Sequence, residues 1–347
     1  MSSSGPNQPL SDEEMDRILR VIGASWSDST KELYGTSLLI FHVYCDIQDV
    51  PDHHRAPVSR NIFSAFLSSC AGTYSGSSIS NYAAAVRVWH LLHGMEWQVN
   101  EIEYKALLEG AMRLVPPTSK CTRRAPFTLE ILDIFHSLMD HNNPHDTAIF
   151  ACIVYTFFCI ARLGEFTVPA ISKFDPMRHV TRAGLTFTQN HQNLPVIKFT
   201  IPTTKMSPTG EDVHCAPHTL PSPSDPKTAL DNLCINAGNA GSHLFAWRHP
   251  INGMRLLSKK EAIKCIDSIT KAHPNMPDLK GHSLRIGGTL FYLLKGVPFD
   301  VVKTMGQWSS ESFTLYLRHH ALVLAPFLQS QPDVLDNLQQ YILLPVR

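Results

Sequence analysis

Three separated segments of this chain hold residues that could do chemistry together. Ala161-Arg162-Leu163-Gly164-Glu165 closes an apolar run that holds no charge over the preceding dozen residues. His282-Ser283-Leu284-Arg285 is followed by Gly287-Gly288, and Gly306-Gln307-Trp308 is followed by Tyr316. A guanidinium is costly to bury unless it meets an anion, so Arg162, at the end of an apolar helix, is either an anion ligand or the local partner of Glu165, three residues on and on the same helical face. The two readings are compatible, because Glu165 could orient Arg162 while other donors face a ligand. His282 and Arg285 share a face if a helix starts near Ser283, a suitable N-cap, and an anion at that end would also meet backbone N–H groups. The plainer reading is a surface pair. Tyr316, beside Phe313 and Leu317, reads by itself as a core aromatic.

The combination is more specific than its parts. The run HSLRIGGTLFYLLKGVPFDVVKTMGQWSSESFTLYLR, residues 282–318, resembles the C-terminal signature of tyrosine recombinases, and within them the recombinases of Crypton-type eukaryotic mobile elements. That family pairs an arginine and an acidic residue three later with an HxxR box, a glycine followed by His or Trp, and a tyrosine ten residues past the glycine; Gly306 and Tyr316 fit that spacing. The resemblance implies cleavage and rejoining of double-stranded DNA with no metal or nucleotide cofactor. Tyr316 would be the nucleophile, forming a 3′-phosphotyrosine and releasing a 5′-hydroxyl. Arg162 and Arg285 would clamp the phosphate in a two-donor geometry that lysine cannot supply, with Glu165 orienting the first. His282 would assist proton transfer. Lys205, at a hairpin turn, would be the general acid, with mid-strand Lys198 as the alternative. Strict spacing puts Gln307 at the His/Trp position, and Trp308, one residue late, carries the expected N–H donor. A catalytically silent DNA-binding protein and a type IB topoisomerase remain the other readings.

These residues need elements to position them. Residues 1–10 read as a polar tail and 11–115 as helices only, with Tyr34, Leu38, Phe41 and Cys45 on one helical face. This helical part would be the DNA-clamp domain of the family. Pro116-Pro117 ends its last helix, and 116–126 is a linker whose Lys120, Arg123 and Arg124 are either a solvated tether or a strap across a phosphate backbone. Residues 127–347 would be the catalytic domain. In it, Leu185-Thr-Phe-Thr, Val196-Ile-Lys-Phe-Thr-Ile and Val213-His-Cys alternate as a small antiparallel sheet among helices. The expected fold class is therefore mainly α with a small antiparallel β-sheet: an N-terminal helical bundle and an α+β domain. An apolar stripe at Val334, Leu335, Leu338, Tyr341 and Ile342 is expected to dock on a neighbouring copy, in keeping with a homo-tetramer on DNA.

Composition limits the alternatives. No apolar run reaches the roughly 18 residues of a membrane helix, and Ile149–Ile160 reads as a buried core helix. The opening residues lack a basic patch followed by an apolar run, so no signal peptide is expected. Eight scattered cysteines without a CxxC pair suit a reducing compartment, and the inferred function suggests the nucleus. His214, Cys215 and His218 lack a second ligand cluster and read as ordinary surface residues. Net charge is zero, yet residues 1–115 hold 8 Lys and Arg against 13 Asp and Glu, and 116–347 hold 22 against 17. A DNA partner would be held by the second part.

Overall fold

A computed structural model describes residues 11–119, 124–204, 207–220, 222–236 and 238–309. Tyr316, Lys205, Lys120, Arg123 and the stripe from Val334 to Ile342 lie outside the described residues. The chain divides into two compact units, Met1–Thr122 and Arg123–Arg347.

The described part of the first unit is all helical: α1 (Asp12–Gly23), α2 (Asp28–Ile47), α3 (Asp52–Arg55), α4 (Arg60–Cys70), α5 (Gly76–Leu92) and α6 (Glu101–Arg113). Local chemistry sets where these begin. The side chains of Ser11, Ser27, Ser59, Ser75 and Asn100 each accept an N–H of the following first turn, and Glu14 completes a capping box with Ser11. The stripe of α2 turns Phe41 and Cys45 into a core with Phe63, Phe66, Leu67, Ile79 and Val86, while Tyr34 and Leu38 are half-buried. His90 is buried there. Its Nε2 accepts the Val58 N–H at 2.8 Å and its Nδ1 donates to the Val86 carbonyl at 2.8 Å, which fixes a neutral tautomer. Burial accordingly holds its pKa below the ordinary histidine value.

The second unit is built around α8 (Pro144–Phe158), which follows α7 (Leu129–Leu138). Every residue of α8 from Thr147 to Phe158 is buried, as expected of a helix apolar on all sides. Strands β1 (Leu185–Gln189), β2 (Pro195–Ile201) and β3 (Glu211–Cys215) form an antiparallel sheet in that order, with Ile197, Phe199 and Val213 turned into the core. Gly210 closes the β2–β3 hairpin with φ +84°, and a Cβ there would lie 2.6 Å from the Ile201 carbonyl oxygen. After α9 (Pro226–Leu233) comes a two-stranded hairpin, β4 (Trp247–His249) and β5 (Gly253–Arg255), that the sequence reading did not anticipate. Its signal was Asn252-Gly253, a favoured tight-turn pair. Helices α10 (Lys259–Ala272), α11 (Gly281–Leu294) and α12 (Phe299–Met305) complete the described chain. The mainly helical class with a small antiparallel sheet is borne out. Among the described residues, no helix is long and apolar enough to cross a membrane.

Candidate active site

The site begins where α8 stops. A helix end leaves its last carbonyls without intrahelical donors. Here the chain leaves α8 through Ile160 at φ +51°, a left-handed conformation that a β-branched residue adopts at a cost on the order of 1–3 kcal/mol. Side chains of α11 supply the missing donors. Arg285 Nη1 donates to the Ile160 carbonyl at 2.6 Å, and the Tyr292 hydroxyl donates to the Phe158 carbonyl at 2.9 Å. Between them on the same helical face sits Gly288, where a Cβ would lie 2.0 Å from the Phe157 carbonyl oxygen. Gly287 similarly faces the Phe127 backbone, with a Cβ 2.2 Å from its oxygen. The two glycines therefore let α11 meet other backbone directly.

The third segment arrives at the same guanidinium. Helix α12 ends at Gly306, followed by Gln307 at φ +57°. The Gly306 carbonyl accepts from Arg285 Nη2, and the Trp308 ring lies against the guanidinium with its centroid 4.1 Å from Cζ. A Cβ on Gly306 would lie 1.7 Å from that indole, which explains the glycine. Two helix C-termini, each continued by a non-glycine residue in the left-handed region, thus aim carbonyls at one cation, where their dipoles favour positive charge. Arg285 is 1% exposed, the largest fully buried side chain of the described residues.

Arg162 is placed differently from expectation. Helix α8 ends four residues earlier, and Arg162 has extended backbone (φ −87°, ψ 133°) ahead of a single turn of 3-10 helix, Leu163–Glu165. The Glu165 carboxylate holds it twice, accepting the Arg162 backbone N–H at 2.8 Å and Nη1 at 2.7 Å. The acidic side chain is 7% exposed and the arginine side chain 28%. Glu165 thus meets Arg162 across a turn of 3-10 helix and not along an α-helical face. His282 occupies the first turn of α11, half-buried. That helix starts two residues before Ser283, which is not the N-cap: Lys280 is, and the Ser283 hydroxyl accepts the Lys280 N–H at 3.1 Å. Gly281 brings this end against Leu163, with a Cβ 2.7 Å from the leucine side chain, so His282 and Arg162 each adjoin one of two directly packed residues.

The remaining candidates separate. Lys198 lies mid-strand on β2 and its Nζ pairs with Asp212 at 3.1 Å. With the Thr200 hydroxyl as the first cause and Lys198 as a further one, the Asp212 carboxyl stays below the ordinary aspartate value. Lys205 lies outside the described residues; of those nearby, the Thr204 N–H donates to the Ser207 carbonyl at 2.9 Å and the Ser207 N–H to the Thr204 hydroxyl at 3.0 Å. Arg124 is exposed. His214 and Cys215 are consecutive on β3 and point to opposite faces, the first exposed and the second buried, so they do not share a site. Sequence reasoning missed Tyr292, hidden within the apolar pattern of α11.

No protein-family model matches the chain, and no curated protein matches it in sequence. Solved structures do. The integrase of transposon Tn1549, in complex with transposon right-end DNA, matches over 92% of this chain and 98% of its own, with a TM-score of 0.55 and 13% identity. The XerH site-specific recombinase bound to a palindromic difH substrate matches over 94% and 86%, with a TM-score of 0.54 and 13% identity. A weaker match, to an FLP recombinase in a Holliday-junction complex, spans 55% of this chain and 45% of the other, with a TM-score of 0.36 and 18% identity. The chain has the fold of the tyrosine recombinases and integrases.

Proposed function

We propose that this chain breaks and rejoins DNA strands by transesterification. The phenolic oxygen of Tyr316 gives up its proton to His282 as it attacks the scissile phosphorus, the P–O5′ bond breaks, and the 5′ oxygen takes a proton from Lys205. The product is a 3′-phosphotyrosine, and attack by a 5′-hydroxyl reverses the step without loss of bond energy. Arg162, held by Glu165, and His282 stabilise the charge on the non-bridging oxygens, and Arg285 with Trp308 completes the phosphate pocket. The observation that carries this reading is the convergence of segments 160–165, 281–292 and 306–308 at the end of α8. The likeness in fold to an integrase in complex with transposon end DNA supports it.

The finer reading rests on the resemblance carried by residues 282–318. Helices of 11–115 clamp the duplex, Lys120, Arg123 and Arg124 strap its backbone across the 116–126 connection, and residues 127–347 cut. Four copies assemble on two duplexes through the 328–342 segment, in the nucleus, as the recombinase of a Crypton-like mobile element. A non-cleaving DNA-binding protein is the second reading, and one observation favours it: Arg285 is 1% exposed with two donors on backbone carbonyls, which leaves little guanidinium surface for a phosphate to reach. Incubation with duplexes nicked beside candidate cleavage sites decides between them. The active enzyme accumulates a covalent protein–DNA adduct that Tyr316→Phe abolishes without loss of DNA binding. Binding with no adduct in the unaltered protein supports the silent reading. Relaxation of a supercoiled plasmid by the monomer would point to a type IB topoisomerase instead.

A further inference from the structure

The Tyr292 hydroxyl has no place in the chemistry above, yet it sits on the face of α11 that also carries Arg285 and Gly288. These three residues, at spacings of three and four, lie against three carbonyls at the end of α8 and just beyond it, those of Ile160, Phe157 and Phe158. A phenylalanine would fill the same apolar surroundings, formed with Ile160, Ile286, Leu290 and Val302. The hydroxyl is therefore kept for its bond. Burial raises its pKa above the ordinary tyrosine value, so it stays protonated and can only donate to the carbonyl. Phe158 stands four residues before Arg162, and the intervening chain carries the strained left-handed turn at Ile160. A turn in that conformation persists only when its surroundings over-determine it.

We infer that Tyr292 is a positioning residue for Arg162: its hydroxyl, together with Arg285, anchors the 158–162 turn and so fixes where the Arg162 guanidinium stands. The inference rests on the proposed cleavage activity. The Arg162–Glu165 unit is rigid within itself, because Glu165 binds both backbone and side chain of Arg162. Its position relative to α11, and so to His282 and Arg285, depends on the turn that Tyr292 holds. Removing the hydroxyl leaves the ion pair intact and lets it shift as a body. Displacement of a clamping group matters to the transition state far more than to ground-state binding of a long duplex, which is spread over many phosphate contacts.

The test compares the unaltered protein, Tyr292→Phe, Arg162→Lys and the double variant on one nicked duplex, reading DNA affinity, melting temperature and the single-turnover rate of adduct formation. Tyr292→Phe is expected to slow adduct formation about tenfold, the loss that one buried hydrogen bond of ~1.4 kcal/mol would give, with DNA affinity unchanged. In the Arg162→Lys background the same change is expected to cost less than twofold, because the group it positions is already gone. An undiminished rate for Tyr292→Phe overturns the inference, as does an equal tenfold loss with and without Arg162. Parallel losses of affinity and rate, with a lowered melting temperature, also overturn it in favour of a general structural role. If the unaltered protein forms no adduct while binding the duplex, the cleavage reading fails and this inference fails with it.

Discussion

The two units are held together in different ways. Among the described residues of the first, the buried polar side chains are Ser37 and His90, and the helices start at serine and asparagine caps a few residues away in sequence. The second buries Arg285, His243, Asn236 and Asp225, and its decisive bonds join residues far apart in the chain, Arg285 to Ile160 and Asn236 to Pro144. A core of apolar stripes tolerates small adjustments, because its driving force has no direction. Buried polar bonds have geometry, and removing one partner leaves the other unsatisfied. The precision that the proposed phosphate clamp would require belongs to the unit that accepts that risk.

Glycine-to-alanine exchanges probe this contrast most strongly, since the same added methyl should act with opposite sign in the two units. Gly288→Ala places a Cβ against the Phe157 carbonyl oxygen, forces α11 off α8, and is expected to destabilise the second unit by about 3 kcal/mol or more in urea unfolding. An effect below about 1 kcal/mol would mean that the two helices can separate freely. Next in size is Arg285→Lys. A lysine ammonium cannot serve the Ile160 and Gly306 carbonyls as a planar fork, nor lie flat on the Trp308 ring. Adduct formation should fall by the equivalent of roughly 2–4 kcal/mol of transition-state stabilisation, and retention of the unaltered rate would show that the fork is dispensable.

His243 gives an effect that depends on pH and is smaller per pH unit. It is fully buried, its Nδ1 accepts the Phe245 N–H at 3.2 Å, and burial first, then His179 and Arg182, depress its pKa to about 3. The unfolded chain binds a proton there near the ordinary value, about 6.5, and the folded chain does not until about 3. The stability it contributes is thus whole above pH ~6.5 and is lost as pH falls towards 3, by about 1.4 kcal/mol per pH unit. Replacing His243 by glutamine should flatten that slope in unfolding measured from pH 7 to 4; an unchanged slope would refute the assignment. Smallest is Gly35→Ala in α2, where nothing lies within 4 Å of the added Cβ. It should stabilise the first unit by about 0.5–1 kcal/mol through backbone entropy, and a loss of stability would place that face against something.

The difference between the units also governs what could be read from sequence. Phe41 and Cys45 announced the α2 core by their period, the all-apolar α8 announced its burial, and the alternation at Val196–Ile201 announced β2. The three segments of the site were legible as a combination of residue types and spacings. Their joints were not. That Arg162 leaves the helix follows from the left-handed turn at Ile160, which no propensity favours at a β-branched residue. That Arg285 meets backbone carbonyls of Ile160 and Gly306 depends on partners 125 and 21 residues away, and local pattern carries no record of such distances. Tyr292 was invisible for the same reason: an aromatic on an apolar helix face discloses its hydroxyl's partner only in three dimensions.

In the proposed reaction one particular phenol, that of Tyr316, becomes joined to DNA. The protein trapped on a nicked duplex can be digested with trypsin and a nuclease, and the modified peptide sequenced by mass spectrometry. Cleavage after Lys303 and Arg318 releases residues 304–318 as one peptide, whose sole tyrosine is Tyr316. A nucleotide phosphate is expected on that tyrosine. A nucleotide on any other side chain, or an adduct that forms equally with Tyr316→Phe, would contradict it.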